Sequence, residues 1–205
     1  MLDLMLADAR TPTGGFAQSG GLEAARLKVE QIPAFLRGRV STVGFVDAAV
    51  AAGAARGTDP MVLEDEWAAR TPAEPLRRAA GRQGRALLRL AAHVRPGALD
   101  DYAEVSRTTP RPVVLGLLGR ALDLDPPEIA RVCLYDDVAT CCAAVPKLYS
   151  IDAATALGWL VGLAPVIERL GRRAAEATVL PSASAPLLDV RAVLHDTHTR
   201  RLFVT

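Results

Sequence analysis

The sequence predicts an all-α protein, a compact single-domain bundle of about eight to ten helices. Half of its 205 residues are hydrophobic but only 4% are aromatic. Alanine and leucine, which favour helices, outnumber the β-branched and aromatic residues that strands prefer. Apolar residues also recur at three- and four-residue steps, which is the spacing of an amphipathic helix. A chain of this length is sufficient for one domain with a substantial core.

The charge and cysteine content exclude several classes of protein. The 24 basic and 23 acidic residues give a net charge of +1, so no overall field would attract nucleic acid or an anionic membrane. The three cysteines are an odd number without the paired spacing of a zinc site, which favours a reducing environment. The N-terminus lacks the basic and apolar regions of a secretory signal, and together these features predict a cytoplasmic protein.

A glycine-rich loop joins a short apolar helix, residues 1–7, to the next predicted helix, residues 19–28. This glycine loop (residues 8–21) contains Pro12, Phe16, Ser19 and two glycine pairs, Gly14-Gly15 and Gly20-Gly21. Proline fixes its own φ and glycine permits close backbone approach, so the loop is expected to hold one shape. A phosphate-binding loop is excluded because Gly21 and Leu22 stand where Lys and Ser or Thr would be required. A packed connection between helices and a binding surface both remain open.

One long helix is predicted over residues 31–56, because apolar residues recur there at helical spacing. Its interior glycines are Gly38, Gly44 and Gly53. Glycine is costly in an isolated helix, so these positions indicate close packing against another helix. A short acidic helix follows at residues 61–67. We expect its Glu64, Asp65 and Glu66 to face solvent or to pair with the arginines that come next.

The helix predicted at residues 74–94 is the most clearly amphipathic in the chain. One stripe is apolar, and a second consists of Arg78, Arg82, Arg85 and Arg89. Four stacked like charges repel one another. The arginines are therefore expected either to face solvent and pair within the chain or to bind an acidic partner. Gln83 and Gly84 interrupt the apolar stripe, as a polar contact and a point of close approach would.

Four helices are predicted in the second half of the chain. They cover residues 113–122, 128–150 and 153–170, and the last begins at Leu187. The third either ends at Gly171 or continues to Glu176. The uncharged stretch 153–167 is shorter than the roughly 20 residues of a membrane span and contains Pro165. We expect a buried helix there, capped by Asp152. Cys133 and Cys141 share a helix face and are expected to be small buried side chains.

The last helix carries His195 and His198, three residues apart, a spacing that could join both rings to one metal ion. No third ligand is near in sequence, so surface or partner contacts are preferred and no metal or cofactor is expected. Motifs for a nucleophile elbow, a zinc protease and a complete phosphate loop are absent from the sequence, so we predict a protein that is not an enzyme. The alternatives are a helical DNA-binding or ligand-binding regulator, with residues 74–94 as recognition helix, and a small helical enzyme.

Three segments resemble the UreF family of urease accessory proteins. Asp8 to Glu23, D-A-R-T-P-T-G-G-F-A-Q-S-G-G-L-E, is similar to the family's N-terminal signature. Gly81 to Leu90, G-R-Q-G-R-A-L-L-R-L, resembles its Ser-x-Gln-(Gly/Met)-x-x-Leu helix segment. Residues 187–196 and 201–205 resemble its helix ending in His-Glu and its terminal Arg-Leu-Phe-x-Ser. The chain departs from the commonest forms at Gly15, Gly81, Asp196 and Thr205.

The resemblance implies a non-catalytic chaperone of urease maturation. Members form a dimer, join a second accessory protein (UreD, also called UreH) and recruit the GTPase UreG, so that nickel reaches apo-urease. It implies one domain over residues 1–205, with residues 1–18 and 199–205 facing partners. We expect the C-terminal segment to engage the UreD-type protein and to become better ordered on binding. The candidate partner-binding residues are Gly14, Gly15, Phe16, Ser19, Gln83, Arg85, His195, His198, Arg201, Leu202 and Phe203.

Overall fold

A computed structural model describes residues 1–8, 11, 15–198 and 201–204. Over these residues the chain forms ten helices of six residues or more and one four-residue helix, and it forms no strand. The helices are α1 (Leu2–Ala7), α2 (Leu22–Ala25), α3 (Ile32–Ser41), α4 (Val43–Arg56), α5 (Pro60–Arg70), α6 (Glu74–Val94), α7 (Asp100–Val105), α8 (Arg111–Ala121), α9 (Pro126–Leu148), α10 (Ala153–Glu176) and α11 (Pro186–Asp196). The predicted all-α, single-domain fold is confirmed.

Helix α4 forms the centre of the bundle. Every residue from Gly44 to Ala55 is buried except Asp47, because α8, α9 and α10 pack around the helix. A helix that is apolar on all sides is stable only when other elements enclose it. The alanines and glycines of α4 therefore serve to let its neighbours approach closely.

The closest approach is made by α8. A Cβ atom on Gly116 would lie 2.2 Å from the carbonyl oxygen of Ala51 and 2.6 Å from the Cβ of Ala54. On its other side, a Cβ on Gly119 would lie 2.0 Å from Cδ1 of Ile129 in α9.

The close packing predicted for three other glycines is confirmed at Gly44 and Gly53, where a Cβ would lie 3.1 Å from Asp137 Oδ2 and 3.3 Å from Leu63 Cδ2. It is wrong at Gly38 in α3, where a Cβ would meet nothing within 4 Å.

Two predicted helices in the N-terminal part are wrong in extent. The helix expected over residues 31–56 is interrupted at Thr42, whose φ of −117° and ψ of −97° are not helical. The helix expected over residues 19–28 is only the single turn of α2, because Arg26 adopts a positive φ of 47° and ends it. Neither residue is a glycine or a proline, so the sequence contained no local signal for these breaks.

The expectation that the acidic residues of α5 face solvent is wrong for Glu64. Its side chain is only 5% exposed. Three hydroxyl groups donate to its carboxylate: Tyr102 at 2.6 Å, Thr108 at 2.5 Å and Ser106. This buried carboxylate joins α5 to the connection between α7 and α8.

Helices α9 and α10 form the most extensively packed pair, and each begins at an aspartate cap. Asp125 accepts a hydrogen bond from the Glu128 amide at 2.7 Å, and the Glu128 carboxylate accepts one from the Asp125 amide at 2.8 Å. Asp152 accepts one from the Thr155 amide at 2.9 Å, which confirms the predicted cap. Caps of this kind satisfy amide groups that a helix leaves unpaired at its start.

We predict that Gly116→Ala destabilises the fold. The added methyl group would overlap the α4 backbone, and overpacking of this kind costs about 1–3 kcal/mol. Chemical denaturation followed by circular dichroism would measure the loss in the free energy of unfolding.

Gly38→Ala is the matched control, because its methyl group enters open space and alanine favours the helix by up to about 1 kcal/mol. Equal stability of the two variants would contradict the close contact between α4 and α8.

Candidate partner-binding site

The segments that carry the family resemblance lie together on one side of the bundle. Gln18 and Gly20 of the glycine loop, Gln83 of α6, and Leu188 and Asp189 of α11 line the same cavity of about 110 Å³. These residues come from the two ends and the middle of the chain. The fold therefore builds one composite site from the three segments.

The described part of the glycine loop is fixed by contacts with α9 and α11. Gly20 and Gly21 have positive φ values of 61° and 84°. A Cβ on Gly20 would lie 2.4 Å from Sγ of Cys141, and a Cβ on Gly21 would lie 2.4 Å from Cδ1 of Leu188. The expected close backbone approach is confirmed at both glycines, and their positive φ is a conformation that L side chains rarely adopt.

The candidate residues of this loop differ in exposure. Ser19 is fully buried, and its hydroxyl oxygen accepts a hydrogen bond from the Glu23 amide at 3.2 Å. Phe16 is exposed, and Gly15 is partly exposed. Gly14 lies outside the described residues. Phe16 is therefore the candidate in this loop best placed to touch a partner.

A cluster of buried charges lies beneath the loop. Arg39 donates to the Gly20 carbonyl oxygen at 2.8 Å and to Asp137 Oδ1 at 2.6 and 3.0 Å. Arg111 pairs with Asp136. Asp137 Oδ2 is buried and has no hydrogen-bond partner among the described residues. The loop backbone is thus attached to α9 through the Arg39 guanidinium group.

Asp47 is the third carboxylate of this cluster. It accepts a hydrogen bond from Nε1 of Trp67 at 2.7 Å. Burial raises the pKa of Asp47 to about 6, and the Asp137 charge acts in the same direction. Because two arginines face three aspartates, one carboxylate of the cluster is left without a cation of its own. Asp47 therefore titrates in a range where an exposed aspartate is fully ionised.

The Gln83 segment of α6 packs under the connection that leads into α8. A Cβ on Gly84 would lie 1.7 Å from the Thr109 carbonyl oxygen, and one on Gly81 would lie 2.7 Å from that of Thr108. The predicted close approach at Gly84 is confirmed. Gln83 is half-buried beside the cavity, as expected of a polar contact.

The arginine stripe of α6 is only partly neutralised within the chain. Arg78 pairs with Glu74 and Asp196. Among the described residues, Arg82, Arg85 and Arg89 have no acidic partner within 4 Å. The pKa of Arg82 is lowered by burial and by repulsion from Arg78, Arg85 and Arg201. The exposed part of the stripe is therefore a basic surface that an acidic partner would neutralise.

The C-terminal tail (residues 201–204) returns to the glycine loop. The Glu23 carboxylate accepts hydrogen bonds from the amides of Leu202 at 2.8 Å and Phe203 at 2.9 Å. The Val204 amide donates to the Ala17 carbonyl oxygen at 2.9 Å. Phe203 is only 4% exposed, and its ring centroid lies 5.3 Å from Nζ of Lys147. Phe203 therefore contacts its own chain, whereas Leu202, 61% exposed, faces solvent.

The two candidate histidines also separate. His195 is buried, and its Nε2 lies 3.5 Å from the Glu23 carboxylate, so the expected surface position is wrong for this residue. His198 is exposed. Their ring centroids are 5.9 Å apart, and no group of three metal-binding side chains occurs in the described part of the chain. Arg201, the remaining candidate, is exposed and pairs with Asp196 at 2.9 Å.

Sequence reasoning missed the outward direction of the apolar face of α11. Leu188, Ala192 and His195 face inward. The exposed apolar residues are Leu187, Val190, Val193 and Leu194. This apolar α11 face lies next to the basic surface, because α11 packs on α6. Periodicity indicated that the helix has an apolar side, but it could not tell whether that side is covered.

A second apolar surface lies at α10, where the expectation of a buried helix is confirmed for the face with Leu160 and Leu163 and is wrong for the opposite face. Leu157 is 55% exposed and Val161 is 65% exposed. By length and composition α10 could cross a membrane, and a third of its most apolar stretch is buried. Together with Leu4 and Tyr135, these residues line a groove of about 720 Å³ between α1, α9 and α10.

Comparison with known proteins agrees with the resemblance seen in the sequence. Residues 28–164 match the family model of UreF. The chain is 36% identical to the urease accessory protein UreF of Mycobacterium sp. (strain JLS), over 98% of this chain and 97% of that protein. The proteins of the same name from Mycolicibacterium vanbaalenii and Mycobacterium tuberculosis (strain H37Rv) are 34% and 35% identical over the same shares.

We predict that Asp47→Asn removes a pH dependence of stability. The folded-state pKa of about 6 lies above the ordinary 3.8, so the folded state holds this proton more tightly. Protonated Asp47 contributes its full share to the free energy of unfolding below pH 4. This share is lost as the pH rises through 6, by at most about 3 kcal/mol. Asparagine keeps the oxygen that accepts from Trp67 and cannot ionise. The variant should therefore gain stability relative to the natural protein between pH 4 and 7, as measured by urea denaturation.

Asp101→Asn, at an exposed position of α7, is the control for loss of one surface charge. A stability difference for Asp47→Asn that stays constant over this pH range would contradict the assignment.

Proposed function

Because the chain belongs to the UreF family of urease accessory proteins, we propose that it is a non-catalytic, cytoplasmic scaffold for urease maturation. In this proposal two copies of the chain join a UreD-type protein and recruit a UreG-type GTPase. The GTP cycle of that GTPase is coupled to delivery of nickel into apo-urease, and nickel is the cargo. The chain itself supplies binding surfaces.

The observation that carries the proposal is the composite site. Its glycine loop, α6 segment and C-terminal segment resemble the family. The loop, α6 and α11 line one cavity, and Glu23 beside the loop holds the tail. The exposed groups at this surface are the Phe16 ring, arginines and aliphatic side chains. Such groups suit recognition of a protein surface more than transformation of a small substrate.

We assign the apolar α11 face and the tail to the UreD-type partner. Single exposed aliphatic residues are common on monomers, but four on one short helix form an apolar patch of the kind that marks a protein interaction site. Arg82 and Arg85, which have no acidic partner among the described residues, add positive charge on α6, the helix on which α11 packs. The fitting partner surface is apolar at its centre and acidic at its rim.

We assign the exposed face of α10 to contact with a second copy of the chain. Gly158 and Gly162 lie on this face with open space around them, so another helix can approach closely. Asp152 is exposed at the start of α10, and Arg169 and Arg172 are exposed near its end. If two copies of α10 packed antiparallel, Asp152 of each copy would lie near Arg169 and Arg172 of the other. The same contacts would then form at both ends, as two-fold symmetry requires.

The rival interpretation is a DNA-binding regulator that uses the arginine stripe. Helix α6 packs mainly against α8 and α11, whereas a recognition helix packs on the helix that precedes it. The rival predicts a shift of mixed DNA fragments in a gel assay. The scaffold proposal predicts none.

We predict that Val190→Asp weakens capture of the UreD-type protein at least tenfold, or by about 1.4 kcal/mol, because it buries a charge in the apolar α11 face. The measurement is copurification of the tagged chain with the UreD-type and UreG-type proteins of the same cell, with and without GTP, followed by titration calorimetry.

Val105→Asp on α7 is the control, since it adds the same charge to another exposed valine. If both variants bind the UreD-type protein equally strongly, the apolar α11 face is not part of the interface. Failure of the natural chain to bind either protein would overturn the scaffold function.

We predict that Val161→Asp converts a dimer into a monomer, because two copies of the added charge would face each other across the α10 interface. Size-exclusion chromatography with light scattering would measure the mass. Val179→Asp, at an exposed valine beyond α10, should remain dimeric. A monomeric natural protein at all concentrations, or a dimeric Val161→Asp variant, would contradict the assigned interface.

A further inference from the structure

Glu23 occupies an unusual position in the composite site. It lies in the single turn of α2, and its carboxylate is largely buried. Both carboxylate oxygens accept hydrogen bonds from the tail, Oε1 from Leu202 and Oε2 from Phe203. His195 of α11 lies 3.5 Å from Oε2. One side chain thus contacts two consecutive amides of the tail and the helix that precedes it.

These contacts determine where the tail can lie. A carboxylate that accepts from two backbone amides forms charge-assisted bonds, which are stronger than neutral ones. They place the buried Phe203 ring beside Lys147, where it lines a cavity of about 330 Å³ together with Gly15 and Phe16. With Phe203 buried in this way, Leu202 and Arg201 are exposed to solvent.

We propose that Glu23 is the positioning residue of the C-terminal tail, and that the tail held by Glu23 is the form that the partner binds. The inference rests on the proposed function for the identity of the partner, but not for the contact between Glu23 and the tail. Holding the Leu202 and Phe203 amides before binding reduces the ordering that binding would otherwise require, so only part of the expected ordering of the C-terminal segment is left to the partner. Glu23 therefore raises affinity through the tail, without touching the partner.

The first test is made on the free protein. Glu23→Ala removes both acceptors and should speed hydrogen exchange of the Leu202 and Phe203 amides at least tenfold. Trypsin cleavage after Arg201 should accelerate to a similar degree, while exchange in α4 stays unchanged. Glu30→Ala, at an exposed glutamate of the Val29–Gln31 turn, is the matched control and should alter neither rate. Unchanged exchange at Leu202 and Phe203 in Glu23→Ala would overturn the inference.

The second test is a double-mutant cycle with the UreD-type protein. Glu23→Ala and deletion of residues 201–205 should each weaken binding at least fivefold. Their combination should bind no more weakly than the deletion alone, because Glu23 acts only through the tail. A further loss in the combined variant would show direct contact with the partner and overturn the inference. So would tighter binding by Glu23→Ala, which would mean that the held tail opposes binding.

The two tests separate the inference from the proposed function. If the natural chain fails to bind the UreD-type protein, the proposed function fails, and with it the role of Glu23 in affinity. Tail exchange in the free protein still decides whether Glu23 positions the tail.

Discussion

The enclosure of α4 by α8, α9 and α10 constrains the rest of the fold. An enclosed helix must carry small residues wherever a neighbour approaches. Helix α8 meets the same requirement, because Gly116 lies against α4 and Gly119 lies against Ile129 of α9. Within the enclosed stretch of α4, from Gly44 to Ala55, Asp47 carries the one charge, and it lies where Arg39 and Arg111 meet the aspartates of α9. The packing of the apolar core around α4 therefore fixes the position of this cluster of charged residues.

This cluster connects the core to the composite site. Removing charges from water is costly, so a buried ion pair adds specificity of arrangement more than it adds stability. Here Arg39 pairs with Asp137 and also donates to the Gly20 carbonyl. The loop conformation is thus set by an interaction between α3 and α9, remote from the loop in sequence. Glu23 acts on the C-terminal tail in a similar way: its charged side chain binds backbone groups, here the amides of Leu202 and Phe203.

Much of the fold could be predicted from local signals. Periodicity located α6, and the caps at Asp125 and Asp152 mark the starts of α9 and α10. The breaks at Arg26 and Thr42 could not be predicted, because tertiary contacts impose backbone angles that the local residues do not favour. The burial of Glu64 was hidden for the same reason: its three hydroxyl partners lie about forty residues away along the chain.

The composite site was predictable in its segments but not in its geometry. Gly20, Gln83 and Leu202 belong to motifs that can be seen in the sequence, yet nothing local indicates that Glu23 binds the tail or that His195 is buried. The exposed faces of α10 and α11 were hidden because a hydrophobic pattern shows which side of a helix is apolar and does not show what covers it.

The contact between Gly20 and Cys141 has a consequence for how such a chain can diverge. The thiol occupies the space that a side chain at position 20 would need, and burial raises the pKa of Cys141 to about 12, so the thiol stays protonated and inert. A larger residue at position 141 would press directly on the loop backbone, which has no side chain there to adjust. The residue at position 141 can therefore become smaller but not larger while the loop keeps its shape, so a surface loop limits which residues the interior of α9 can carry.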